Sequence, residues 1–175
     1  MPGRLNYSSS GAGTTGHLYG ELFKLRTGTD IVHIPYKGTA PSLTALLSGD
    51  VDVSFATLPA VLQYVRAGRL RPLASTGEKR SELMPEVPTM KEAGVSSVEA
   101  SVWYGVLAPS ATPPDVVSIL ARAVMDASHS PDFRQRLLDL GAEPVATTPE
   151  EFGRLLREEV AKWAEVVKAA GIRAD

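Results

Sequence analysis

The sequence predicts an α/β fold in which a mostly parallel sheet is flanked by helices. Over the first 76 residues, short segments that are rich in β-branched residues, or that alternate apolar and polar residues, are separated by amphipathic segments that end at glycine. From residue 99 onward, three long amphipathic segments follow a single apolar stretch. This change of pattern predicts one unit at residues 1–98 and a different, helix-rich unit at residues 99–175.

The first unit is expected to alternate strands with helices. The predicted strands are Leu5–Ser8, Ile31–Pro35, Val51–Phe55 and Leu70–Thr76. The predicted helices cover about Thr15–Arg26, a segment around Pro41 to Leu47, and a segment from Pro59 to Val65. Glycine follows each of them, at Gly28, Gly49 and Gly68, and is the usual helix stop.

The second unit is expected to hold one strand, Ser101–Ala108, and three helices that start with polar capping sequences. These caps are Thr112-Pro113-Pro114-Asp115, Ser130-Pro131-Asp132 and the capping box Thr148-Pro149-Glu150-Glu151. The first helix is expected to bury Val116, Val117, Ile119, Leu120 and Val124, and the third to bury Phe152, Leu155, Leu156, Val160, Trp163 and Val167. One or two strands cannot cover three amphipathic helices, so strands that complete this unit are expected to be missing from the chain.

Composition excludes several classes of function. With 43% hydrophobic and 22% charged residues the chain should fold, and a net charge of −2 with scattered basic residues argues against a nucleic-acid partner. The absence of Cys excludes thiolate metal sites, disulfides and Cys nucleophiles. The three histidines are isolated and lack metal-ligand spacing, so neither a metal nor another cofactor is expected. No apolar run reaches the roughly 18 residues that span a bilayer.

The most informative loop is Tyr7-Ser8-Ser9-Ser10-Gly11-Ala12-Gly13-Thr14, which lies just before the first predicted helix. Glycines let the backbone approach a ligand, and a helix start offers unpaired N–H donors with partial positive charge. An anion site is therefore one interpretation, with Ser9, Ser10 and Thr14 adding hydroxyl donors. An ordinary strand-to-helix turn with a Ser/Thr cap is the other.

Two rival chemistries fit this loop less well. A phosphate loop needs Gly-x-x-x-x-Gly-Lys-Ser/Thr, and no Lys ends this one. A hydrolase could use Ser9 or Ser10 as nucleophile, but there is no Gly-x-Ser-x-Gly elbow and no acid evident to orient His17. We therefore expect no catalytic residue and a binding protein in place of an enzyme.

Two further strand ends are expected to face the same place, because ligands of open parallel sheets bind beyond the carboxyl ends of strands. These are Tyr36–Ala40 and Ala56–Leu58. Lys37 could supply charge, or be a solvated loop lysine. Tyr36 could pack on a ligand, or belong to the core.

The sequence as a whole resembles the Bug family of tripartite tricarboxylate transporter (TctC-like) receptors. The resemblance spans the whole chain and is carried by Leu5–Thr14, His17-Leu18, Gly20–Lys24, Thr27–Gly38, Leu46–Val53, Ala67–Arg71, Val87–Thr89, Glu92–Gly94, Leu107–Pro109 and Gly141–Pro144.

This resemblance implies a periplasmic-binding-protein-like (type II) fold of two α/β lobes with a ligand cleft between them. It implies a periplasmic receptor that binds a small organic carboxylate and delivers it to a membrane permease, or alternatively reports it to a sensor kinase. Residues 1–98 would then be the ligand-binding second lobe without its start, and residues 99–175 the C-terminal portion of the other lobe.

The resemblance also implies that three loops of this lobe line the cleft. The ligand-binding residues expected on them are Ser9, Ser10, Gly11, Gly13, Thr14, Tyr36, Lys37, Gly38, Thr39, Ala40, Thr57 and Leu58.

Two departures from the family pattern carry expectations of their own. Family members begin with a signal peptide and an N-terminal segment of the first lobe, whereas Met1 leads straight into Pro2-Gly3-Arg4. The chain is thus expected to be N-terminally truncated, with apolar surface that favours dimerisation through the incomplete lobe. Ala56 stands where many members carry Asp, which suggests a ligand without an amino group.

Overall fold

The computed structural model describes residues 3–172, which form two compact units. The first comprises the described parts of Met1–Val102 and Trp163–Asp175, and the second comprises Trp103–Lys162.

The first unit is built on a three-stranded, fully parallel sheet in the order β2-β1-β3. Its elements are β1 (Leu5–Ser9), α1 (Thr15–Thr27), β2 (Ile31–Pro35), α2 (Thr39–Ser48), β3 (Val53–Ser54) and α3 (Leu58–Arg66). The α/β class with a parallel sheet flanked by helices is confirmed. The central strand β1 is the best buried, and Tyr7 on it is 0% exposed.

The core around β1 is sealed by small residues and hydroxyls. Helix α1 approaches the sheet so closely that a Cβ at Gly20 would collide with the Tyr7 ring. On α2, the buried Ser42 hydroxyl donates to the Ser8 hydroxyl at 2.9 Å, which satisfies both groups away from water. These contacts fix two helices against the strand that leads into the glycine-rich loop.

The predicted helix stops at Gly28 and Gly49 are confirmed. Both glycines adopt the left-handed conformation, with φ of 67° and 81°, and their N–H groups donate to carbonyls of the last helical turn.

Two of the predicted strands in the first unit differ in the structure. Leu70–Thr76 forms no ladder; it makes only an isolated parallel bridge between Ser75 and Thr89. The predicted strand Val51–Phe55 shortens to Val53–Ser54. An alternating pattern becomes a strand only where a neighbour supplies hydrogen bonds, and β1 pairs with just this part of the segment.

The second unit contains α4 (Pro114–His129), α5 (Pro131–Asp139) and most of α6 (Pro149–Ala170). Two predicted caps are confirmed: Phe133 N–H donates to the Ser130 hydroxyl, and Thr148 and Glu151 exchange the two bonds of a capping box. The α4 cap differs, because Pro113 is the N-cap and makes no side-chain bond.

The expected strand Ser101–Ala108 and the expected buried face of α4 are both wrong. The segment has no strand, and Tyr104 is 82% exposed. On α4, Val116, Ile119, Leu120 and Val124 are all exposed, and in the third helix's stripe so is Val160. Within residues 103–162 the structure describes no sheet that could cover these side chains.

The last turns of α6 return to the first unit. Val166 is buried with Leu22 and Ala100, and Trp163 stacks on Tyr19 at a ring-centroid distance of 5.2 Å. None of the described helices is both long enough and apolar enough to cross a membrane.

Candidate functional site

The carboxyl ends of all three strands lie at one edge of the sheet. The parallel register pairs Ser9 with Pro35 and Ser8 with Ser54, and a helix begins within a few residues of each strand end. The predicted ligand residues occupy these three strand-to-helix loops: Ser9, Ser10, Gly11, Gly13 and Thr14 on the first; Tyr36, Lys37, Gly38, Thr39 and Ala40 on the second; Thr57 and Leu58 on the third. This edge is the candidate site.

The first two loops form one backbone surface. The N–H of Tyr36 donates to the carbonyl of Ser9, and the N–H of Gly38 donates to the carbonyl of Ser10, both at 3.0 Å. Gly11 has a φ of 140°, which strains any residue with a side chain, and a Cβ there would lie 3.5 Å from the Tyr36 carbonyl oxygen. The distance is an ordinary contact, so it is the backbone conformation of this turn that requires glycine at position 11.

The third loop is held by α1. A Cβ at Gly16 would lie 2.8 Å from the carbonyl oxygen of Phe55, a distance that real Cβ atoms essentially never show. Only glycine allows α1 to pass this close to the chain leaving β3. Thr57 and Leu58 are half-buried, whereas Ala56 is exposed.

Three helices start at this edge without side-chain caps. The N-cap residues of α1, α2 and α3 are Thr14, Gly38 and Thr57, and none of them caps its helix with a side-chain hydrogen bond. In the described part of the chain, the backbone N–H groups of Ala12, Thr15, Thr39, Ala40 and Leu58 have no hydrogen-bond partner. Unpaired donors at the positive ends of helix dipoles make an anion-binding surface.

The serine and threonine hydroxyls of the first loop take different roles. Ser9 is only 2% exposed, and its hydroxyl donates to the Gly11 carbonyl at 3.0 Å and lies 2.7 Å from Nε2 of His33. The Thr14 hydroxyl donates to the same carbonyl at 2.7 Å. Ser10 is half-buried and its hydroxyl makes no hydrogen bond within residues 3–172. Ser9 thus shapes the loop, and Ser10 has a free hydroxyl.

The second loop offers an exposed charge. Lys37 is exposed and forms no ion pair within the described chain, and Thr39 and Ala40 beside it are exposed as well. Tyr36 is half-buried and stacks on no other described ring. A lysine here raises the local concentration of anions.

Sequence reasoning missed a cluster of titratable side chains at the base of the first loop. His17 on α1 and His33 on β2 stack with ring centroids 3.9 Å apart, so the histidines at these positions are not isolated. Tyr7 also stacks on His33, with ring centroids 4.8 Å apart. Nδ1 of His17 accepts a hydrogen bond from the N–H of Gly13 at 3.0 Å. The cluster therefore contacts the glycine-rich loop at both Ser9 and Gly13.

Burial and hydrogen bonding set the charge of this cluster. Burial lowers the pKa of His17, and it lowers the pKa of His33 to about 4 with help from His17. Burial alone would raise the pKa of Glu21, but hydrogen bonds from Lys24 and Tyr7, each 2.8 Å long, hold it below its ordinary value. At neutral pH both imidazoles are uncharged, and the Glu21 carboxylate is already paired.

The Ser9–His33 contact has the length of a nucleophile–base pair but not its accessibility. Ser9 is a buried residue, only 2% exposed, which closes its hydroxyl to a substrate, and no described carboxylate hydrogen-bonds to His33 to orient it. The geometry supports a structural role for Ser9.

The family described as "Tripartite tricarboxylate transporter family receptor" matches residues 1–172. The chain belongs to this receptor family. The receptor is 38% identical to "Protein BugT" of Bordetella pertussis over 172 residues, which are 98% of this chain and 53% of BugT. The chain spans about half the length of BugT and of a second curated relative, from Cupriavidus necator.

Solved structures of similar proteins carry the same fold. The receptor is 41% identical to "R. palustris Rpa4515 with adipate", with a TM-score of 0.85 over 98% of this chain and 57% of that one. It is 31% identical to "MatC (Rpa3494) from Rhodopseudomonas palustris with bound malate", with a TM-score of 0.77 over 94% of this chain and 57% of that one. A third, "periplasmic binding protein BugD", is 32% identical with a TM-score of 0.79 over 99% of this chain and 58% of that one. The predicted periplasmic-binding-protein fold is confirmed for the receptor.

A groove of about 400 Å³ opens from the candidate site between α2 and α3 of the receptor. Its lining combines the starts of both helices with their apolar flanks: Thr39, Ala40, Leu43, Thr44, Leu47, Pro59, Ala60, Gln63 and Tyr64. The predicted residues Thr39 and Ala40 stand where this groove meets the free N–H groups.

Proposed function

We propose that the receptor captures a small organic carboxylate at the carboxyl edge of its sheet and releases it chemically unchanged. The observation that carries the proposal is the set of unpaired N–H groups at three adjacent helix starts, including those of Thr39, Ala40 and Leu58. Hydrogen bonds from N–H groups to an ionised oxygen are the stronger kind, at about 1.5–3 kcal/mol each. Adipate and malate in the solved relatives support a dicarboxylate.

We assign the ligand-binding roles from the positions of the residues on the three strand-to-helix loops. We assign the grip on the carboxylate to the unpaired N–H groups of Thr39, Ala40 and Leu58 and to the free hydroxyl of Ser10. Gly11, Gly13, Gly38 and Thr14 shape the loops that carry these donors, because the N–H groups of the three glycines and the Thr14 hydroxyl already donate within the chain. Thr57 precedes Leu58 as the N-cap of α3. Lys37 attracts the anion from solution, and Tyr36 lies beside the path of its carbon chain. Ser9 acts through the loop that it shapes.

The same proposal extends to the complete two-lobed assembly. Residues 1–98 form the ligand-binding second lobe, and residues 99–175 belong to the other lobe. The receptor then hands the carboxylate to the membrane permease of a tripartite transporter. The family description supports this partner, and the similarity to the periplasmic binding protein BugD supports a periplasmic location.

A proline at the start of α2 tests the backbone grip. Thr39→Pro removes one unpaired N–H at a position where helices tolerate proline, and it also removes the hydroxyl. We expect the dissociation constants for adipate and malate to rise about tenfold or more, since one charge-assisted hydrogen bond is lost. NMR titration at millimolar ligand would measure even weak binding.

The matched control is Thr39→Ala, which loses the hydroxyl but keeps the N–H. It should bind within about threefold of the unchanged chain, because it keeps the charge-assisted backbone bond. Equal losses in the two variants would assign the contact to the hydroxyl, and no loss in either would contradict the proposal at this helix.

A further inference from the structure

The glycine-rich loop is attached to the stacked histidine pair at both of its ends. The Ser9 hydroxyl, where the loop begins, lies 2.7 Å from Nε2 of His33. The Gly13 N–H, near the end of the loop, donates to Nδ1 of His17 at 3.0 Å. The two rings are 3.9 Å apart and inclined by only 12°. One ring stack therefore contacts both ends of the loop.

The Gly13 contact depends on the protonation state of His17. A neutral imidazole has one nitrogen that accepts and one that donates, so a Gly13 N–H pointing at Nδ1 places the ring proton on Nε2. Once the ring gains a second proton, Nδ1 becomes a donor. It then opposes the Gly13 N–H, and this hydrogen bond is lost.

We propose that neutral His17, stacked on His33, is a positioning residue for the carboxylate-binding loop, so that acidification loosens the loop and weakens carboxylate binding. The inference rests on the proposed function of this loop. It assigns to His17 a role in regulation by protons that acts through Gly13 and not through contact with the ligand.

The surroundings of the pair oppose a positive charge. Tyr7 of β1 stacks on His33, and the ring of Phe55, after β3, meets Tyr7 edge-on, so neither offers a counter-charge. On α1, the Glu21 carboxylate raises the pKa of both histidines, but burial has the larger effect, and Glu21 already accepts bonds from Lys24 and Tyr7. Lys24 adds positive charge. Burial lowers the pKa of both histidines, which keeps the pair neutral until the pH falls below the ordinary histidine value of about 6.5.

The test compares two substitutions of His17 across pH. Asn can place its carbonyl oxygen near the position of Nδ1 and accept from Gly13 at every pH, whereas Ala cannot accept at all. Adipate and malate binding would be measured by NMR titration from about pH 7.5 to about pH 5. Protonation of the ligand itself affects every variant equally, so the comparison isolates the protein.

We expect the unchanged chain to lose about tenfold more affinity over this range than His17→Asn does. His17→Asn should bind normally at neutral pH, and His17→Ala should bind weakly throughout. His129→Asn is the matched control, because His129 lies exposed on α4 in the other unit, and it should behave like the unchanged chain. Tighter binding at acid pH, or an equal pH dependence in His17→Asn, would overturn the proposal.

A second readout needs no ligand. The amide chemical shift of Gly13 should titrate with a histidine-like midpoint below about pH 6.5 in the unchanged chain and stay constant in His17→Asn. A Gly13 amide shift that does not change with pH overturns the inference even if carboxylates bind. If this shift titrates but neither adipate nor malate binds at any pH, the proton-dependent contact of His17 with the loop is supported and the proposed carboxylate binding is contradicted.

Discussion

Individual side chains at the sheet edge divide into those that face solvent and those that hold the backbone. Lys37, Thr39 and Ala40 are exposed, whereas Ser9 is buried against His33 and Gly11. A serine next to a glycine-rich turn thus contributes to an anion site indirectly, because it fixes the conformation that points N–H groups outward. A substitution of Ser9 therefore alters ligand contacts only through a change in the loop conformation.

Ala56 gives a prediction about ligand charge. It is exposed on the third loop and presents no counter-charge for an ammonium group. Malate carries a hydroxyl where aspartate carries an ammonium group. The unchanged receptor should therefore bind malate more tightly than aspartate. Ala56→Asp should shift the ratio of the two dissociation constants about fivefold toward aspartate, the size of a partly exposed ion pair.

Calorimetry or NMR titration with both ligands would measure this shift. Ala67→Asp is the control, because it adds the same charge at an exposed position at the opposite end of α3. If both substitutions changed the ratio equally, the effect would reflect net charge and not the position of residue 56.

Residue-level prediction from the sequence succeeded where the contact is local and failed where it depends on register. The capping box of Thr148 and Glu151 spans three residues and could be read directly. The stack of His17 and His33 arises because β2 lies beside β1 with His33 opposite Tyr7, while α1 packs across both. Sequence spacing contains no information about that pairing, so these histidines looked unrelated.

At the scale of elements, α1 is set apart by how closely it approaches the sheet. Gly16 and Gly20, one helical turn apart, face the Phe55 carbonyl and the Tyr7 ring. Side chains four residues apart share a helix face, so the two glycines form one flat contact strip. The strip brings the start of α1 to the carboxyl edge of β1 and β3, where the candidate site lies.

This strip predicts an asymmetry between two glycine substitutions in helices. Gly20→Ala should destabilise the protein by about 1–3 kcal/mol, because the added methyl collides with Tyr7 in a packed core. Gly153→Ala on α6 should be neutral or stabilising by up to about 1 kcal/mol, since its Cβ would meet only the mobile end of Arg157 at 3.5 Å. Urea unfolding of both variants would measure the difference. Equal stabilities would contradict the close approach of α1.

The strands Leu5–Ser8 and Ile31–Pro35 and the helix stops at Gly28 and Gly49 were predicted closely, whereas two other predicted strands do not form, for a physical reason. A helix satisfies its backbone within itself, so Gly28 and Gly49 could mark its end from local sequence alone. Leu70–Thr76 and Ser101–Ala108 have strand composition, but a strand exists only beside a partner. The structure offers the first segment one bridge and the second none among residues 3–172.

At the scale of the whole molecule, the two units differ in how much they bury. Tyr7, Leu22 and Val166 are fully enclosed in the first, whereas no residue of α4 or α5 is buried in the second. The apolar side chains of Val116, Ile119, Leu120 and Val124 on α4 are exposed. The chain spans 57% of each of the two solved relatives that hold adipate and malate.

We therefore expect this chain to bind adipate about a hundredfold more weakly than the R. palustris protein solved with adipate. The reason is that the R. palustris protein is longer, since this chain covers 57% of it, and its additional residues can supply further donors at about 1.5–3 kcal/mol per charged hydrogen bond. Side-by-side titrations would measure the ratio, with light scattering to record the mass of each species. Comparable affinities would contradict the two-lobed account of binding.

The strand order β2-β1-β3 has a consequence for changing what the receptor recognises. The glycine-rich turn leaves the middle strand, while Tyr36–Ala40 and Ala56–Leu58 leave its two flanking neighbours. Either outer loop can therefore be redesigned while the central loop keeps its contacts with His17 and His33. Ligand selectivity can be changed through the two outer loops of this fold, with the central loop left unaltered.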